Sequence, residues 1–332
     1  MVAMVKAESG FVVKQSGPRT LLQDYGRYGY HHLGMTTGGP ADPFAFKWAN
    51  RLCKNELNTT ALEISVGGLI LESSVVAKIA ICGANTPLTI NGNTCSLWRS
   101  HQVKPGDIIE LGFATEGVIA YLAVAGGFQV AESFGSTATV VREGIGGLNG
   151  GKLEPKDFLA CGGDGATTIT SDGNGSQSSN NQCLKLPKGY RPVYGHHAML
   201  RVIPGYQQHE FSRYQQRRFF GNEYTISAQS DRMGYRLEGP AIQADIDGIL
   251  SEGICLGAIQ VPPDGQPIIL MNDRQTIGGY PKIGSVLSLD LGQLAQLKPG
   301  DDVYFEPITV DDAHNILHLA DSYFNKIEPI FC

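Results

Sequence analysis

Apolar residues in this chain come in short runs rich in β-branched side chains, and glycine interrupts them too often for many long helices. Residues 62–66, 75–81, 107–111, 118–124, 198–203 and 268–271 each read as a strand. The 42 glycines and 17 prolines supply the turns between them. Residues 86–90 and 94–98 flank Asn91-Gly92-Asn93, whose members tolerate the positive φ of a tight hairpin. Three stretches keep a helical period instead. One starts at Asp42 as N-cap with Pro43 in the first turn, and carries Phe44, Trp48 and Leu52 at i, i+4. A second lies within 207–220. The third begins at Thr309, with Asp312 completing a capping pattern and Ala313, Ile316, Leu317, Ala320 and Phe324 on its apolar face. Few helices against many strands predict a mainly β fold of closed or nearly closed sheets, each with a helix over an opening.

A length of 332 residues suits two domains of ordinary size. Residues 162–182 are poor in apolar side chains and rich in Gly, Ser, Asn and Thr, the composition of a flexible linker. The expected division is an N-terminal β-barrel domain at 1–161, a linker at 162–185 and a C-terminal barrel at 186–332. A weak repeat supports two related halves. Lys104-Pro105-Gly106-Asp107 before a strand returns as Lys298-Pro299-Gly300-Asp301, and the Asp24–Tyr30 stretch is loosely echoed by Asp231–Arg236.

Charge narrows the partners. With 26 basic and 32 acidic residues the net charge is −6, which does not suit a phosphate-backbone binder, so nucleic acid is not expected. No apolar run approaches the roughly 18 residues of a membrane span, and no signal peptide is visible, so a cytoplasmic protein without a membrane partner is expected. Seven cysteines, an odd number with no C-x-x-C pair, argue against both a disulfide framework and a zinc ribbon.

Three constellations carry chemistry. In the first, glycines surround Gln23, Asp24, Arg27 and His31, either as a loop turned around a ligand or as a strand cap held by an Asp24–Arg27 pair. Adjacent His31 and His32 would face opposite ways on a strand, so no metal is expected there. In the second, Gln260, Asp273, Arg274 and Lys282 lie in glycine-rich stretches flanking the apolar run 267–271, as in a polar pocket at a barrel mouth, or as surface turns with ordinary ion pairs. In the third, Asp231, Arg232 and Arg236 could bind an anion or pair among themselves. Gly146–Lys152 meets seven positions of a phosphate-binding loop, but Leu153 replaces the hydroxyl residue and Pro155 disfavours the helix. The H-E-x-x-H, G-x-S-x-G and G-x-G-x-x-G motifs are absent.

Several of these stretches, GPRTLLQDYGRYGY, GGPADPFAFKWANRL, SDRMGYRLEGP, SEGICLGAIQVPPDGQPIILMNDRQTIGGYPKIG and QLKPGDDVYF, resemble the allophanate-hydrolase-subunit-2 family in order along nearly the whole chain. That family is also described as subdomains A and B of a biotin-dependent carboxyltransferase domain. The resemblance implies a pair of cyclophilin-like β-barrel domains with a few covering helices. Its standalone members look like the C subunit of an ATP-dependent 5-oxoprolinase, which works with subunits A and B to hydrolyse 5-oxo-L-proline to L-glutamate. On that reading the chain is inactive alone, and ATP and Mg are used by the complex. Alternatives are a carboxyltransferase subunit of a urea- or allophanate-type system, with biotin as cofactor, and a non-catalytic regulatory partner of a kinase-inhibitor subunit. The resemblance assigns no residue roles. From chemistry alone, Arg232, Arg274 and Lys282 would stabilise anionic oxygens, and Asp24, Asp231 or Asp273 would handle protons or Mg. Gln23, Arg27 and Gln260 would complete the polar lining of the small-molecule site. Asp24 and Arg27 are expected on the same side of the molecule as Arg274.

Overall fold

A computed structural model describes residues 9–162 and 182–332. The architecture is mainly β with four helices, at Pro43–Leu52, Arg213–Phe220, Leu291–Ala295 and Val310–Lys326. The chain divides into two units that alternate along the sequence. The first takes residues up to Tyr25, then Phe44–Pro192 and Pro329–Cys332; the second takes Gly26–Pro43 and Val193–Glu328.

The first unit holds two sheets. Six strands run in the order Phe158–Ala160, Gly10–Ser16, Leu69–Ser73, Ile108–Leu111, Leu88–Ile90 and Asn93–Cys95. Seven run in the order Arg19–Gln23, Ala61–Ser65, Glu116–Val124, Ala77–Asn85, Arg99–Val103, Leu184–Lys185 and Ile330–Phe331. Apolar side chains of both sheets, among them Phe11, Leu71 and Ile109 from one and Leu62, Ile79 and Leu122 from the other, make one core. Burial is continuous from Ala77 to Ala84, Lys78 included, as in a central strand, and ends at the exposed Asn85. The hairpin forms where expected: Ile90 pairs with Asn93 across Asn91 and Gly92, both at positive φ.

In the second unit seven strands close into a barrel. Their order is His197–Pro204, Lys282–Val286, Ala258–Gln260, Ile268–Leu270, Gly234–Glu238, Tyr224–Ile226 and Asp302–Pro307, and the last pairs parallel with the first. Phe219 of the second helix stacks on Phe305 of the barrel at 4.3 Å between centroids. The expected cap at Thr309 forms, its side chain accepting from Asp312 N, and the second helix is capped by Ser212, which accepts from Gln215 N.

The Lys-Pro-Gly-Asp repeat is one turn built twice. In each copy the aspartate carboxylate accepts from the lysine backbone N–H, at 2.7 Å for Asp107 and 2.9 Å for Asp301. Gly106 and Gly300 sit at φ 89° and 90°, where a side chain would be strained, and each N–H crosses to a neighbouring strand, at Ser73 O and Ile226 O.

Most of the expected linker, 163–181, lies outside the described residues. At its end the expected bound of 185 is corrected: Leu184 is buried, and Leu184–Lys185 join the seven-stranded sheet between Arg99 and Ile330–Phe331. That pairing brings Cys183 to Cys332 as a disulfide across 149 residues, with Cα atoms 5.4 Å apart. The odd count and spacing of the cysteines gave no sign of it. Among the described residues no helix is long and apolar enough to cross a membrane.

Candidate functional site

The glycine-rich segment 26–43 is tied into the second unit chiefly through its loop at 271–274. Asn272 Nδ2 donates to Gly38 O and Pro40 O, at 3.3 and 3.2 Å, and Thr36 Oγ1 donates to Arg274 O at 3.1 Å. Arg232 donates from Nε and Nη2 to the two carboxylate oxygens of Asp273, both at 2.9 Å, and from Nη2 to Gly39 O at 2.8 Å. Arg232 and Asp273 are both buried, so this bidentate pair is spent on each other and on the backbone of the segment. The geometry makes them a clamp rather than an anion site and a proton carrier.

Arg274, one residue on, is equally buried but meets no carboxylate within ion-pair distance among the described residues. Its Nε donates to Ile254 O at 3.2 Å and its Nη1 to Met271 O at 3.3 Å, which leaves the cation solvated by carbonyls alone. Burial draws the guanidinium below its ordinary range, and the Cys255 and Tyr28 side chains act the other way. Its charge also reaches His31: partial burial and then Arg274 hold that imidazole below 6.5. His31 Nε2 lies 2.7 Å from Thr37 Oγ1. Residues 31–33 form a short 3-10 turn, so the alternation expected of His31 and His32 on a strand does not apply. A buried guanidinium whose partners among the described residues are all carbonyls suits an anionic oxygen.

A second group lies on the barrel strands. Gln260 and Lys282 are direct partners in adjacent strands, so their side chains share a face. Lys282 Nζ pairs with Glu252, which also accepts from Tyr206 OH and, at 3.1 Å, from Gln207 Nε2. Gln207 Oε1 accepts from Lys282 N at 2.8 Å, fixing the amide's orientation. Burial lowers the Lys282 ammonium from its usual range. Ile254, whose carbonyl holds Arg274, follows Glu252 by two residues, so one short stretch of chain serves both groups.

Residues 33–307 match the model of the family described as carboxyltransferase domain, subdomain A and B. The chain belongs to that family. This carboxyltransferase-domain chain is 33% identical to the 5-oxoprolinase C subunit of Haemophilus influenzae, over 94% of its own length and 96% of the relative's. It is 34% identical to the 5-oxoprolinase C subunit of Escherichia coli K12, with the same coverage on both sides. Among solved structures it superposes on the urea amidolyase of K. lactis with a TM-score of 0.88 and 27% identity, covering 99% of this chain and 20% of that one. The chain thus spans about a fifth of the amidolyase.

Gln23 and Asp24 belong to the first unit, where Gln23 Nε2 donates to Thr139 O at 3.0 Å. Asp24 accepts from Ser136 Oγ at 2.6 Å and Thr137 N at 2.9 Å. Arg27 is buried in the second unit, its N–H donating to Thr37 O at 2.8 Å. Asp231 is exposed and takes the N–H groups of Met233 and Gly234, a turn that does not repeat the Asp24 geometry. Of the nine candidates, Gln260, Arg274 and Lys282 lie, all buried, in the two groups described above. Sequence reasoning passed over Tyr206, Gln207 and Glu252. Glu252 stands at the start of the quoted segment SEGICLGAIQ, and the pairing of Glu252–Gly253 with Ile277–Gly278 accompanies its contact with Lys282.

Proposed function

We propose that this chain is the C subunit of a 5-oxoprolinase, acting with subunits A and B to hydrolyse 5-oxo-L-proline to L-glutamate at the expense of ATP. The observation that carries the reading is the mutual coverage with the two bacterial C-subunit relatives, nearly end to end on both sides at one third identity. A five-membered lactam is a poor electrophile, so its carbonyl must be activated before water attacks. In this proposal Arg274 and Lys282 hold anionic oxygens that develop during that attack, as preorganised donors in a site poor in water. The described residues do not fit a Mg–ATP site. Gly146–Lys152 is followed by Leu153, Lys152 faces Glu154 in an exposed pair, and no group of three His, Cys, Asp or Glu gathers to hold a metal. ATP use is therefore assigned to the partner subunits, and the reading goes with a cytoplasmic location.

The test is reconstitution of the purified chain with its A and B subunits, measuring glutamate released from 5-oxoproline against ATP consumed. The expected result is ATP-coupled release that requires this chain. Release that is unchanged without the chain, or absent with all three subunits, overturns the reading. A second reading, a carboxyltransferase half accepting carboxyl from carboxybiotin, is favoured by the superposition on urea amidolyase. It expects carboxyl acceptance from a carboxylated biotin carrier, and fails if none is transferred.

A further inference from the structure

Gln260 is 1% exposed, and its Nε2 has no hydrogen-bond partner among the described residues. It lies beside a small apolar cluster of Ile254, Ala258 and Leu270, where water gives little relief. A fold that keeps a buried donor unmet is incomplete without an acceptor. Three observations locate the place where that acceptor belongs. Gln260 and Lys282 share a face of the barrel wall. Gln260 Nε2 lies 2.7 Å from where a Cβ on Gly278 would stand, and Ile254 Cδ1 2.4 Å from it, so the amide and the Ile254 side chain share the room this glycine leaves. Gly278 in turn is the direct cross-strand partner of Glu252, so that room and the Glu252 side chain lie on one face of the two-stranded ribbon. An orphan N–H, an ammonium and a carboxylate therefore border one spot. Tyr206, 67% exposed and bonded to Glu252, lets it open to solvent.

We propose that Gln260, Lys282 and Glu252 form a pocket for a ring amide, the group –C(=O)–NH– held cis. In a ring of this size the oxygen and the N–H point to the same side, so a receptor must set donors and an acceptor next to one another. Gln260 Nε2 and Lys282 Nζ donate to the carbonyl oxygen. Glu252 accepts from the ring N–H on a lone pair left over after Tyr206, Gln207 and Lys282 have bonded. Lactams and cyclic ureides both present this group. The inference deepens the function proposed above and rests on it for the choice of a lactam.

Binding to the full chain, alone and within the reconstituted complex, is to be measured by calorimetric titration. The probes are 5-oxo-L-proline, biotin, and 5-oxotetrahydrofuran-2-carboxylate, the lactone that keeps the ring and carboxylate but lacks the N–H. The expected result is saturable lactam binding, at least tenfold weaker for the lactone, and weakened at least tenfold by Gln260→Met. That variant removes an unsatisfied amide, so its thermal midpoint should not fall. Gly278→Ala is the second variant; it crowds the Gln260 amide and should weaken the lactam similarly. Biotin binding in preference to the lactam keeps the pocket, makes the cyclic ureide its occupant and counts against the 5-oxoprolinase reading. Lactam binding without glutamate release likewise upholds the pocket while the function fails. Equal affinity for lactone and lactam, indifference to both substitutions, or no saturation by either ring amide overturns the pocket.

Discussion

Arg232→Ala is the sharpest probe of how the second unit holds residues 26–43. The substitution removes both hydrogen bonds to Asp273 and the one to Gly39 O, and leaves the Asp273 carboxylate buried with its ion-pair partner gone. Breaking a buried pair from one side costs about 3–5 kcal/mol. For a unit of this size each kcal/mol moves the midpoint by roughly 2–4 °C, so a fall of roughly 6–20 °C is expected in a thermal melt. Replacing both partners, as Arg232→Met with Asp273→Leu, removes the stranded charge along with its partner. The double variant should recover at least half of the loss, because a buried pair and an apolar pair of similar volume are often close in stability. The same double variant separates structure from chemistry. A clamp predicts that the refolded protein still supports the reconstituted complex, whereas an anion-binding Arg232 predicts a stable but inactive one. A loss below about 1 kcal/mol for Arg232→Ala, within the range of exposed pairs, would refute the burial argument.

Three further outcomes follow from the geometry. Because folding holds His31 below 6.5, the unfolded chain takes up that proton first on acidification. Stability from this group is present above pH 6.5 and is lost as pH falls through the folded value, so His31→Gln should flatten stability in that window, and Arg274→Ala should raise the His31 midpoint seen by NMR. Among the free thiols Cys255 is exposed, Cys53 and Cys82 are buried, and burial pushes Cys161 up to about 12; thiol titration of the native protein should label Cys255 fastest, and Cys255→Ser should remove that phase. Cutting the Cys183–Cys332 link by Cys183→Ser removes a constraint across 149 residues, a loss of about 5 kcal/mol on the chain-entropy account, and a denaturant midpoint unchanged between oxidised and reduced protein would contradict it.

How far the fold could be read from the sequence depended on the range of the forces involved. Strands, the Asn91-Gly92 hairpin and the cap at Thr309 rest on local pattern and turn chemistry, and these the residues declare. The Lys-Pro-Gly-Asp repeat was legible for the same reason, since one aspartate and one positive-φ glycine complete the turn within four residues. What stayed hidden is pairing across long separations. No local signal sends Gly26–Pro43 to the second unit, or adds Ile330–Phe331 to the edge formed by Leu184–Lys185. The expected linker bound was set at 185 because two residues of strand, Leu184–Lys185, are too few to show a period.

Arg232 and Arg274 show why the candidate site was harder to read than the fold. Both stand in glycine-containing, polar stretches, both are 6% exposed, and as residue types both offer the same fork to an oxygen. The difference is a partner: Asp273 reaches Arg232 from 41 residues away, while its sequence neighbour Arg274 turns to the carbonyls of Ile254 and Met271. Adjacent side chains thus take opposite roles, and only the backbone of the 271–274 loop decides which. The same reasoning selects Gln260 over Gln23. Each is almost fully buried, but Gln23 Nε2 has found Thr139 O, and Gln260 Nε2 has found no partner among the described residues. A buried polar group with its bonds made holds the fold together. One with a bond still to make, next to Lys282 and Glu252, is where a ligand has something to complete.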